Sequence, residues 1–252
     1  MIRNILLLFL LIIASVGSAV ADELFSLKVG YASLDADGIF AANDGSIGTE
    51  IDFDNDLNFD DSENIYAQAA LQFGRIRISA EYLPLDFSGN NTITRDISFG
   101  GQTFPAGTNV SSDVEMDVFD FAMAIHLLDI DDGPLRLQLG PEVAVKVADI
   151  DMSFRDTVSS AAESVSATVP VPTIGARGRI AFSDYAGVVG RIGYLEVSGN
   201  SFLDADIQLE FSPLPLLGIF AGYRYVDVDV DESDVVVNST FSGPYAGVLA
   251  RF

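Results

Sequence analysis

The sequence predicts an all-β chain: a transmembrane antiparallel up-and-down β-barrel of about ten strands, with eight or twelve as the alternative counts. Three observations predict it. Apolar and polar residues alternate with a period of two from Leu24 to the C-terminus, the alternating runs are joined by connections of unequal length, and each run carries one wholly apolar row.

Composition removes other classes. The chain has 252 residues, 49% of them apolar and 20% charged, with mean hydropathy +0.32. It is too hydrophobic for a disordered tail and long enough for one large domain. Thirteen Lys and Arg against thirty-seven Asp and Glu give a net charge of −24, which repels a polyphosphate and excludes nucleic acid as a partner. With no cysteine there is no disulfide, thiolate nucleophile or Cys-ligated zinc, and a single histidine removes sites that need two imidazoles.

The first element, residues 1–21, reads as a secretory signal peptide: Arg3, an apolar run from Ile5 to Ala14, then Ala19-Val20-Ala21 ahead of Asp22. A membrane helix needs roughly 20 apolar residues, about twice this run. The barrel domain is then 22–252, and no second run is long enough to span as a helix, so membrane residence must use strands.

Strands are expected at 24–35, 64–74, 76–88, 113–128, 135–149, 167–182, 186–198, 202–211, 216–230 and 242–252. Tight turns fall near Gly74-Arg75, Asp129–Pro134, Ser183–Tyr185 and Ser212–Pro215; long connections fall at 36–63, 89–112, 150–166 and 231–241, with a short one at Gly199-Asn200. An even count puts both termini on the tight-turn side. The rows differ chemically. The second strand sets Ile65, Ala67, Ala69, Leu71 and Phe73 against Tyr66, Gln68, Ala70 and Gln72. The fifth sets Leu135, Leu137, Leu139, Val143, Val145 and Val147 against Arg136, Gln138, Gly140, Glu142 and Lys146, and the eighth sets Leu203, Ala205, Ile207, Leu209 and Phe211 against Asp204, Asp206, Gln208 and Glu210.

Alternation alone does not say whether the apolar row faces lipid or a core, because a soluble periplasmic lipid-binding barrel has the same period. The last strand, Pro244-Tyr-Ala-Gly-Val-Leu-Ala-Arg-Phe252, puts Ala246, Val248, Ala250 and the terminal Phe252 on its apolar face. It resembles the C-terminal assembly signal of Gram-negative outer-membrane β-barrel proteins. The resemblance implies residence in the bacterial outer membrane with both termini periplasmic, lipid and lipopolysaccharide as surroundings, and assembly machinery that reads Phe252; a monomer is expected. Tryptophan is absent, so an interfacial girdle must come from residues such as Tyr31, Tyr82, Tyr194, Tyr223 and Tyr225.

With the apolar rows outward, the lumen receives Lys28, Arg75, Arg77, Arg136, Lys146, Arg177, Arg179, Arg191, Arg224 and Arg251, with Glu81, Asp120, His126, Glu142, Asp204, Asp206 and Glu210. Such an interior acts as a salt-bridged plug or as a basic constriction that selects anions, and a barrel of this size favours the plug. Acids crowd the connections instead. Asp52, Asp54, Asp56, Asn58, Asp60 and Glu63 occupy positions 1, 3, 5, 7, 9 and 12 of a window that resembles an EF-hand calcium loop, but Leu57 stands where the turn wants glycine and strands flank it. A solvated acidic rim that binds divalent cations weakly is the expectation, with no dedicated cofactor. A second acidic stretch holds Asp227, Asp229, Asp231, Glu232 and Asp234.

Three function classes follow. The favoured one is a non-enzymatic membrane barrel, a narrow porin-like channel or a structural and surface-interaction barrel. An outer-membrane enzyme acting on lipid A or peptides would rest on His126, which falls near the periplasmic turns with no companion serine motif. The soluble lipid carrier is opposed by the last strand.

Overall fold

The computed structural model describes residues 24–42, 49–130, 135–159, 161–183, 185–214, 216–232 and 235–252. The signal-peptide segment lies outside the described residues, as do parts of the connections at 43–48, 131–134 and 233–234.

Ten long strands among the described residues close into one antiparallel barrel: β1 (Phe25–Ala42), β2 (Ser62–Phe73), β3 (Ile76–Thr92), β4 (Asn109–Ile125), β5 (Arg136–Asp156), β6 (Ala162–Ala181), β7 (Ala186–Val197), β8 (Asn200–Phe211), β9 (Leu217–Glu232) and β10 (Val235–Arg251). Each pairs with its neighbour in sequence, and β10 returns to β1 from Ser26↔Arg251 to Ala42↔Val235, so no edge runs the height of the barrel. The backbones of Phe25 and Phe252 exchange hydrogen bonds of 3.0 and 2.8 Å, and their rings stack at 6.1 Å. The turn between β7 and β8 is two residues, Ser198 at φ 56° and Gly199 at φ 94°, the positive-φ pair that matches the twist of a hairpin.

The strands are those expected, but they run further at the long-connection end. β1 continues to Ala42 where an end near residue 35 was expected, β10 starts at Val235 and not 242, and the hairpin of β5 and β6 reaches Asp156 and Ala162. The connections also carry structure of their own. Residues 51–52 pair with β1, a single wide helical turn covers Phe53–Leu57, and residues 97–99 and 102–104 form a small hairpin.

The reason for the extra length is an inversion of polarity along the strands that run furthest. Low on β9, Tyr223 and Tyr225 face outward and Arg224 inward; higher up Asp227 and Asp229 take the outward positions while Val226 and Val228 turn inward. On β1 Asp35 and Asp37 are outward while Leu34 and Ala36 are buried, and on β4 Asp113, Glu115 and Asp117 are outward with Val110 and Val114 buried. The alternation changes sense without breaking. A strand in contact with lipid must be apolar outside, and one that leaves the bilayer must be polar outside and packed within.

Inside, the upper barrel is a packed core and not an open mouth. Leu34, Phe40, Leu83, Leu85, Phe87 and Phe154 project from the strands, and Ile51, Phe53, Leu57, Ile93, Phe99 and Phe104 descend from the connections onto them. Phe40 lies 5.5 Å from Phe53 and Phe99 lies 5.4 Å from Phe154, ring centre to ring centre. Contacts of this kind are the ordinary way to hold a hydrophobic cluster together.

Candidate functional site

The lower lumen is lined by charge. The register explains which charges meet: Lys28, Gln68, Glu81, Asp120 and Lys146 are successive cross-strand partners on β1 to β5, and Arg177, Arg191, Asp206 and Arg224 are partners on β6 to β9. Like charges sit side by side within each row, Glu81 with Asp120 and Arg177 with Arg191, which is unfavourable alone. Glu81, Asp120 and Arg191 are satisfied across the lumen. Arg224 Nη2 lies 2.6 Å from Glu81 Oε1, and Lys146 Nζ lies 2.5 Å from Asp120 Oδ2 and 2.7 Å from Asp204 Oδ2. Arg191 spans from β7 to Asp120 on β4, to Asp204 at 2.8 Å and, through Nε, to Glu142 at 3.3 Å. Nearer the termini, Glu210 gathers Lys28 at 3.0 Å, Arg179 at 3.4 Å and Arg251.

Two interior cavities in this layer measure about 20 and 10 Å³, room for about one water apiece. Side chains therefore close the barrel twice, with ion pairs below and apolar residues above. Most expected lumen residues lie here: Lys28, Arg77, Glu81, Asp120, His126, Glu142, Lys146, Arg191, Asp204, Glu210 and Arg224 are buried, and Arg136, Arg177, Arg179, Asp206 and Arg251 are partly so. Arg75 departs from the expectation. It occupies the exposed two-residue turn between β2 and β3, where no strand face directs it inward. His126 does not meet Asp120, whose carboxylate is taken by Lys146 and Arg191.

The six oxygen ligands of the calcium-like window are not brought together. The Asp52 side chain accepts from the backbone N–H of Asp54 at 3.0 Å and of Asn55 at 2.8 Å, capping the helical turn; the Asn55 bond holds the Asp52 carboxyl below the usual carboxylate range. That contribution is present at neutral pH and is lost as the pH falls below the ordinary carboxylate value. Asp56 is buried, accepts from Asp52 N at 3.0 Å and pairs with Arg95 at 2.5 Å, which raises the Arg95 guanidinium above its ordinary value. Glu63 is turned away on β2 to the Tyr31 hydroxyl, 2.8 Å distant. Asn58, with φ 52°, makes the left-handed turn for which the window has no glycine, and Leu57 is buried in the apolar core. Among the described residues no group of three or more acids or histidines is placed to hold a metal ion. Asp56→Ala should therefore act on the helical turn: leaving the Asp52 N–H and Arg95 without this carboxylate costs about 1–3 kcal/mol. Hydrogen exchange across Phe53–Leu57 should speed up accordingly while strands β6–β9 stay unchanged; protection of the turn equal to wild type would show that the pair does not hold it.

Outside, tyrosines mark the level at which polarity inverts. Tyr31, Tyr82, Tyr194 and Tyr225 are exposed, and their hydroxyls donate to Glu63, Asp117, Glu196 and Asp227 at 2.8, 2.5, 2.9 and 3.4 Å. Tyr223 pairs with Ser242 at 3.1 Å. Every one of these partners lies on the loop side of its tyrosine. Below them the outward row is apolar to the turns: Pro244 to Phe252 is a nine-residue run, the length a tilted strand needs to cross the hydrocarbon.

No protein-family model matches the chain, and no curated protein matches it. Among solved structures it is similar to Ail, the attachment invasion locus protein of Yersinia pestis, at 12% identity with 90% of this chain and 97% of that one covered and a TM-score of 0.36. It is similar to the translocator domain of the autotransporter NalP from Neisseria meningitidis at 13% identity, 99% and 96% coverage and a TM-score of 0.46. For Neisserial surface protein A the identity is 12%, the coverage 90% and 97%, and the TM-score 0.37. Likenesses at this level say nothing about role. By its own geometry, closed, antiparallel, apolar outside and ion-paired within, the chain has the fold of an outer-membrane β-barrel protein.

Proposed function

We propose that the protein is an integral, non-enzymatic barrel of the bacterial outer membrane that conducts nothing and carries a folded, acid-collared dome on the outer side, with both termini periplasmic. The inversion of polarity at the tyrosine level supports this reading above all, since a barrel wholly in water has no reason to change the sense of its alternation partway up its strands. Lipid and lipopolysaccharide surround it, the assembly machinery reads the strand that ends in Phe252, and the monomer suffices because closure leaves no tall edge to pair. The carboxylates that face outward above the tyrosines make a surface for contact with other molecules, and their repulsion is eased by divalent cations held loosely. The non-conducting form is favoured over the porin-like one because two successive layers of side chains fill the bore. Planar-bilayer recording of the refolded protein tests it. No steps above baseline are expected; long-lived openings of constant size in wild-type protein would restore the channel.

A further inference from the structure

Closure leaves no free edge through the lower barrel, but above the tyrosine level one strand keeps an open side. The ladder between β6 and β7 runs from Ala181↔Gly187 to Ile174↔Tyr194 and stops there, although β7 continues to Val197 and β6 begins at Ala162. On its other side β6 stays paired with β5 as far as Ala162↔Arg155, with no change of register. Among the described residues, the stretch from Ala162 to Thr173 therefore has a neighbouring strand on one side and none on the other. Proline sets where the ladder ends. Phe182 N–H donates to Ala186 O on the β7 side at 2.9 Å, so the even-numbered residues of β6 aim their N–H groups that way. The first even positions beyond Ile174 are Pro172 and Pro170, which have no N–H to give.

Beyond the prolines the donors return. Ala162, Ser164, Ser166 and Thr168 turn both N–H and C=O to the open side, and none of these backbone groups has a partner among the described residues. Strand edges that must stay unpaired are ordinarily blunted by lysine, proline or a bulge. This stretch has none of them. Its outward row is Ser164, Ser166 and Thr168, all exposed, and its inward row is Val165, Ala167 and Val169, of which Ala167 and Val169 are exposed. The outward neighbours on β5 are Asp149 and Asp151, the cross-strand partners of Thr168 and Ser166, and Glu196 stands exposed on β7 two residues past the last rung. That row of β5 carries one cation, Arg155, at its far end beside Ala162.

We propose that the open side of β6 is a strand-addition site, which takes an extended segment of another protein with basic side chains on its outward row and small apolar ones on its inward row. Main-chain hydrogen bonds to Ala162, Ser164, Ser166 and Thr168 supply the pairing, and the two rows supply the selection. Basic residues suit Asp149, Asp151 and Glu196, and apolar ones cover Ala167 and Val169. The prolines set the lower limit of the site and keep an added strand off the lipid-facing part. The inference goes beyond the membrane reading, and its test needs only the folded barrel.

The test uses the full mature chain refolded in neutral detergent micelles and titrated with a fluorescent peptide as long as Ala162–Thr168 that alternates lysine and valine. Saturable binding is expected, weakened about tenfold or more by Ser164→Pro with Ser166→Pro, because each proline removes a donor on the open side and none on the β5 side. Hydrogen exchange at the amides of Ser164, Ser166 and Thr168 should slow on binding, while Val165 and Ala167, whose amides face β5, keep their rates. The same peptide with every backbone nitrogen methylated keeps its charge and its apolar row but cannot donate to a sheet, and it should not bind measurably. Heat-modifiable migration on gels checks that the proline variant is folded. Absence of saturable binding, exchange at Ser164, Ser166 and Thr168 that the peptide leaves unchanged, or equal affinity for the methylated peptide or in the folded proline variant overturns the proposal. So does a wild-type dimer in micelles that the two prolines dissolve, since the edge would then belong to a second copy of this chain.

Discussion

Replacing Arg191 by alanine should destabilise the folded barrel by about 3–5 kcal/mol, the cost of leaving buried charges without their partner. This guanidinium bonds to carboxylates on β4 and β8 and reaches a third on β5. Without it Asp120 and Asp204 share Lys146, no other bridge described reaches Glu142, and each of the three acids is at least nine-tenths buried. The two cavities of this layer have room for about one water apiece, too little to solvate that charge. A denaturant titration of the refolded protein in micelles measures the loss, and a change below about 1 kcal/mol would mean that the bridges behave as exposed pairs do. Replacing Arg191 and Asp204 together by apolar residues of similar volume should cost much less, because the large term is an unpaired charge and not a missing bond. That contrast separates a tie across the lumen from mere filling.

The same interior shows where sequence reasoning succeeds. A period of two assigns every residue of a strand to one face, so Arg136, Gln138 and Glu142 could be set against Leu137, Leu139 and Val143 without knowing their neighbours. Which charge meets which was not legible, because contacts such as Arg191 with Asp120 cross the bore between strands that are not adjacent in the sheet. The strand ends were misjudged for a related reason. On β1, Leu34-Asp-Ala-Asp37 alternates as cleanly as the residues before it but in the opposite phase, and a strand judged by one apolar row stops near the change. The phase change was itself the mark of the membrane surface. The dome left a fainter signal: Phe53, Leu57 and Phe59 stand among the acids of the first connection, and Ile93, Ile97, Phe99 and Phe104 among the polar residues of the second. Connections that only solvate a rim have no use for so many large apolar side chains. The calcium-like spacing was misleading because it counts oxygen atoms along the chain and not their directions. Asp52 is committed to a helix cap and Asp56 to Arg95.

The inversion of polarity also gives the sharpest separation between a membrane barrel and a soluble one, on a single strand. Val248 is the middle residue of the outward run from Pro244 to Phe252 and is 60% exposed. Asn238 is exposed on the same strand, at a position of the same parity, above the tyrosine level. With lipid around the lower barrel, Val248→Arg places a charge near the bilayer midplane and should cost about 2–4 kcal/mol, whereas Asn238→Arg stays in water and should fall within about 0.5 kcal/mol of wild type. In a soluble barrel both positions face water. The two variants would then be alike, and Val248→Arg would even improve solubility by interrupting an apolar surface. Folding titrations into phospholipid vesicles, without assembly machinery, make the comparison free of any role for the terminal strand in targeting. Equal stability of the two arginine variants would mean that the outward apolar row does not face lipid, and the barrel would have to be placed in water.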